Sequence, residues 1–181
     1  MDETTGPGIE ARGNRLRPAI WGGATLLLLL PAVAMRFHAG GVDWSAMDFA
    51  VFGAMLAAAC GLYELAARKD GDIRYRAAAG IAVATGFLTA WANLAVGMVG
   101  SEGNPFNLLF AGVLVVAGVG AVLAKLRAAG MARAMLAAAF AQALVAAAAF
   151  AIGADARGAV FSALFVAPWL LSSALFRHAS Q

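Results

Sequence analysis

Histidine and cysteine are almost missing from this chain. Two histidines and one cysteine leave too few ligands for a haem-in-bundle or a histidine-held metal site, so no cofactor is expected. Cys60 has no CxxC partner and cannot close an intramolecular disulfide, so it reads as a small apolar residue. Charge is scarce too, at 13% of residues, where an ordinary soluble domain carries about 25%. Catalytic signatures are also lacking: there is no Ser-His-Asp set, no HExxH, no DxxD-type metal pair and no glycine loop for phosphate. The glycine-rich AGVGAVL follows no strand, which removes the dinucleotide-binding reading. An enzyme is therefore not expected. The net charge of +3 is spread over several segments and makes no single basic face of the kind nucleic acid needs.

What the chain has in excess is apolar length. Hydrophobic residues make up 62% of it, and a membrane span needs about 20 of them in a row, with a range of about 17 to 25. Six stretches qualify: Ala19 to Met35, Met47 to Ala67, Ala77 to Gly100, Phe106 to Leu126, Met131 to Gly153 and Ala159 to Phe176. The predicted class is all-α: an integral membrane six-helix bundle over 19–176, with polar tails at 1–18 and 177–181. The first tail is unpatterned and reads as disordered.

The few charges are patterned. Of thirteen basic residues, Arg12, Arg15, Arg17, Arg68, Lys69, Arg74, Arg76, Lys125, Arg127, Arg133 and Arg177 fall in alternate gaps between the spans. The other gaps hold only Arg36 and Arg157. Lys and Arg stay on the cytoplasmic side of short loops, so both termini are predicted cytoplasmic in a multi-pass membrane protein. A rival reading treats the first span as a signal peptide cleaved after Ala32-Val33-Ala34, which would leave five spans in the same orientation.

Within the spans, small residues recur at four-residue spacing: Gly53, Ala57 and Gly61, then Gly112 and Gly120 with Val116 between them. Such stripes let helices approach closely. The alanine-rich fifth span carries one amide, Gln142, which needs an interhelical partner. Pro168 should kink the last span and free the carbonyl of Leu164. Glu64 precedes Arg68 by one turn, and Asp48 stands at a helix start where the dipole favours it. At an offset of 59 residues, Gly53, Gly61, Arg68 and Arg74 meet Gly112, Gly120, Arg127 and Arg133. That register suggests a parallel repeat of two helical hairpins.

The polar residues concentrate between Trp91 and Phe110, in WANLAVGMVGSEGNPFNLLF. Gly103, Asn104 and Pro105 signal a turn, with Asn104 as N-cap and Pro105 at the first helical position. Thr85, Thr89 and Asn93 share one helix face and lead toward Ser101 and Glu102. With Asn104 and Gln142 they form a candidate polar path. Interhelical hydrogen bonding explains the same residues equally simply.

The stretch from Asp48 to Met131 resembles a group of small multi-span bacterial inner-membrane proteins of uncharacterised role. The likeness rests on GLYELAARKDGDIRYRAAAG, on LRAAGMARAM and on a WxNLAVGxxGSExNPxN motif. It implies a multi-span membrane protein and carries no activity with it. The leading expectation is thus a non-enzymatic membrane protein whose partners are lipid, other membrane proteins or a second copy. The alternative is a small transporter or channel-like protein using the polar path.

Overall fold

The computed structural model describes residues 8–37, 40–153 and 155–181, with side chains in the first helix from Arg17 onward. One of the two histidines, His38, lies outside the described residues. All regular structure among them is helical: α1 (Gly8–Arg36), α2 (Ala46–Ala67), α3 (Ile73–Ala95), a 3₁₀ turn (Pro105–Asn107), α4 (Leu108–Leu123), α5 (Ala128–Ala151), α6 (Ala156–Ala163) and α7 (Val166–Ala179). They provide six segments long and apolar enough to cross a membrane, α6 and α7 forming the last one together. The helix of the first span starts at Gly8, upstream of the expected Ala19, since extending a formed helix adds one bond per residue fixed. The chain divides into two compact units, residues 1–64 and 65–181.

In the first unit α1 and α2 run antiparallel, tied by side chains at two levels. Arg17 Nε and Trp21 Nε1 both donate to Glu64 Oε1, at 2.9 and 2.6 Å. Nearer the middle, Leu28 lies against the space beside Gly53. The start of α2 is a reciprocal cap. Ser45 N and Oγ donate to Asp48 Oδ2 at 2.7 and 2.8 Å, and Asp48 N donates back to Ser45 Oγ at 3.3 Å. Trp44 sits edge-on to Phe49 and Phe52, with ring centres 5.3 Å apart in each pair.

The second unit is a bundle of four spans whose direction alternates. At one end, Tyr75 of α3 donates to the carbonyl of Leu126 at 2.7 Å and stacks edge-on against Phe176 of α7. This end gathers the residues around Arg74, Arg127 and Arg177, and we call it the basic end. The α4–α5 turn there holds two non-glycine residues in the left-handed region, Lys125 (φ 49°) and Leu126 (φ 57°). At the opposite end a cluster of Ala92, Met98, Val99, Phe110, Ala149 and Ala159 closes the core.

Two adjacent serines on α7 cross-link the bundle. Ser172 Oγ donates to the Ala78 carbonyl of α3 at 2.9 Å, and Ser173 Oγ to the Ala132 carbonyl of α5 at 2.7 Å. Both are buried, so each bond replaces water that hydrocarbon does not provide. Gly120 lets α4 come close to α5: a methyl there would lie 2.7 Å from the Ala134 Cβ. Gly61 and Gly112 meet nothing within 4 Å, so these members of the small-residue stripes do not pack inside the described molecule.

The last span breaks at Leu164 and Phe165, between α6 and α7. Pro168 lacks the N–H that would bond Leu164 in a continuous helix. The backbone tightens instead: Leu164 N donates to Phe161 O and Phe165 N to Ser162 O, each at 3.2 Å.

Candidate functional site

The segment between α3 and α4 is built by three asparagines around one buried valine. α3 ends at Ala95, and Gly97 takes φ +74°, a left-handed conformation. A methyl there would stand 2.5 Å from the Ser101 carbonyl carbon, so only glycine fits. The chain then turns inward and buries Met98 and Val99 completely. Burial of Val99 obliges its two backbone polar groups to find partners. Asn107 Oδ1 accepts from Val99 N at 2.9 Å, and Asn104 Nδ2 donates to Val99 O at 3.1 Å. Asn107 Nδ2 donates to Ser101 O at 2.8 Å, and Asn93 Nδ2 to Asn107 O at 2.8 Å. Asn104 also caps the 3₁₀ turn, its Oδ1 accepting from Phe106 N, as the Asn-Pro pair predicts.

Asp155 fastens this loop to the last span. Its Oδ1 caps α6 through Arg157 N at 3.0 Å, and its Oδ2 accepts from Gly100 N at 3.2 Å. The amides of Gly100 and Gly158, with smaller help from Arg157, hold its carboxyl below the usual aspartate range. Gly158 lets the loop reach α6, since a methyl there would lie 2.5 Å from the Met98 carbonyl oxygen. Neither Asp155 nor Asn107 was singled out as a site residue in the sequence. The signals were present: an aspartate directly before an apolar helix marks an N-cap, and Asn107 closes the NPFN turn.

The candidate polar path separates into different surroundings. Asn93 and Asn104 belong to the network, with Ser101 contributing its carbonyl. Glu102 is exposed in the turn. Thr85 is buried, and its hydroxyl donates to Ile81 O on its own helix at 2.7 Å. Thr89 is fully buried, and its hydroxyl has no partner among the described residues. Gln142, also fully buried, donates through Nε2 to Ser162 O at 2.9 Å. That carbonyl already takes the short-range bond from Phe165 N, so Gln142 braces the span at its break.

The arrangement therefore holds backbone in place at an apolar helix end, and its donors and acceptors are mostly spent on the chain itself. Comparison with protein-family models, with curated proteins and with solved structures returns no match to this chain.

Proposed function

We propose that this is a non-enzymatic, multi-pass protein of the bacterial inner membrane that works through helix packing with lipid or with partner membrane proteins, a second copy included. The observation that carries the reading is the apolar surface left on the spans. No residue of α1's most apolar stretch is buried, and Leu26 and Leu30 are 67% and 60% exposed. On α4, Val115, Val119 and Val122 are exposed beside Gly112. Apolar surface of this extent is stable only against hydrocarbon or another helix.

Both termini are assigned to the cytoplasm. In support, Tyr75, Leu126 and Phe176 meet at the end that carries the basic residues, while Glu102 and Asp155 stand at the other. The hairpin repeat is also part of the reading: the limits of α2 and α3, advanced by 59 residues, fall within a few residues of the 3₁₀-plus-α4 segment and of α5. We place the chain with the small inner-membrane proteins it resembles, their shared motif corresponding here to the Asn93–Asn107 network.

Packing is favoured over a transport path because Thr85, Asn93 and Gln142 all bond to backbone carbonyls. The test is to substitute Asn93→Leu and Gln142→Leu. Packing expects both variants to melt earlier in detergent. A variant as stable as the parent, yet deficient in solute flux across reconstituted vesicles, would overturn the reading in favour of a transporter.

A further inference from the structure

At the basic end of the second unit a groove of about 290 Å³ opens between the start of α5 and the end of α7. Ala129, Ala132, Arg133, Leu136, Ser173 and Arg177 line it. The two guanidinium groups are exposed, and among the described residues neither pairs with a carboxylate. The hydrogen bond Arg133 makes is a long one, 3.4 Å, to Ala129 O on its own helix. The hydroxyl proton of Ser173 is already given to Ala132 O. α5 begins without a side-chain cap, so the N–H groups of its first turn, which includes Ala129, add positive partial charge beside the arginines. Leu136 lies nearly one turn further into the span than Arg133. The groove is thus basic at its mouth and apolar within, at the level where a membrane helix meets the surface.

We propose that this groove binds one anionic phospholipid, with Arg133 and Arg177 holding its phosphate and an acyl chain running along Leu136. Guanidinium suits a phosphate because its fork pairs with two oxygens at once. Basic clefts between spans on the cytoplasmic side are where such headgroups are held. A free phosphate shares the charge but has no chain for Leu136. A zwitterionic lipid brings an ammonium toward two uncompensated cations. The inference rests on reading α5 and α7 as spans whose basic end is cytoplasmic.

The test uses the full chain purified in neutral detergent. Binding of phosphatidylglycerol, phosphatidylcholine and inorganic phosphate is read by native mass spectrometry and by the shift in melting temperature. Phosphatidylglycerol should bind and raise the melting temperature, and the other two should not. The double variant Arg133→Gln, Arg177→Gln should bind it about 30-fold more weakly. Ala129→Trp, which fills the mouth without changing charge, should lose binding to a similar degree, and Arg74→Gln should bind as the parent does. Stabilisation by inorganic phosphate alone, equal loss in Arg74→Gln, or undiminished binding in a folded Ala129→Trp variant would each sink the proposal. A C terminus mapped outside the cell with lipid selectivity intact would instead overturn the orientation and leave the groove standing.

Discussion

Asn107 shows how much one side chain can decide in this molecule. It is 4% exposed, and it serves both the Val99 amide and the Ser101 carbonyl. Asn107→Leu leaves both groups unpaired at a buried turn, and a loss of about 2 to 4 kcal/mol is expected in chemical or thermal unfolding. Asn107→Asp keeps the acceptor for Val99 and loses the donor, so its melting temperature should fall between the two. Asp155 adds a pH dependence. Its native carboxyl titrates below the ordinary value of 3.8, held there first by the Gly100 amide and next by that of Gly158. The stabilisation is therefore complete above that ordinary value and is lost as the pH falls through the lower native one. In melting curves between pH 5 and pH 2, values chosen to bracket the usual carboxylate range of about 3.9, Asp155→Asn should lower the melting temperature at pH 5 and flatten its fall toward pH 2. Sequence reading placed Asn104 and Pro105 correctly, because their conformational preferences are local. Asn107 and Asp155 carry local signals of a turn and an N-cap, but the second role of Asp155, holding Gly100 55 residues away, is set only by the fold.

At the scale of elements, the last span and the α4–α5 turn carry the irregular backbone. The proline was visible as a kink, but the partner of the loosened backbone was not: Gln142 reaches Ser162 from another helix, 20 residues away. Replacing Pro168 with alanine should restore the missing donor and let α6 and α7 join. More helix in circular dichroism, with weaker dependence on Gln142, is the outcome that checks it. The turn at Lys125 and Leu126 spends two left-handed conformations that cost an L-residue roughly 1 to 2 kcal/mol each. Lys125→Gly should accordingly stabilise the protein by roughly 0.5 to 1 kcal/mol after the entropic cost of glycine is set against the relief. Denaturant unfolding of the two proteins side by side measures it, and a destabilised variant would argue against strain at this position. Nothing in the local sequence KLRAAG announces a left-handed pair; Tyr75 of α3 donates to the Leu126 carbonyl and ties this turn to the bundle.

The whole molecule combines strong apolar drive with sparse polar cross-links. In water the six segments would aggregate, whereas in a bilayer each satisfies its backbone within its own helix. Packing then decides which polar groups meet. Glu64, whose side chain is 16% exposed, gathers Arg17 and Trp21 in the first unit. Glu64→Leu removes both contacts, and easier separation of α1 from α2 is expected, read as faster proteolysis between residues 37 and 46 in detergent. The sequence by itself determined the class, the number of candidate spans and the charge alternation, because hydrocarbon thickness and the difference between the two aqueous sides act on each segment by its own length, hydropathy and basic residues. It also supplied the Asn-Pro cap, a matter of neighbouring dihedrals. Only the tertiary structure decided that Val99 is the residue the asparagines serve, that Ser172 and Ser173 point to different helices, and that Arg133 and Arg177 share one groove. The serine and arginine pairings join residues far apart in the chain, and the Val99 contacts, five and eight residues in span, form because the loop buries Val99. Short hydrogen bonds in an apolar interior depend on which atoms packing brings to within about 3 Å of each other.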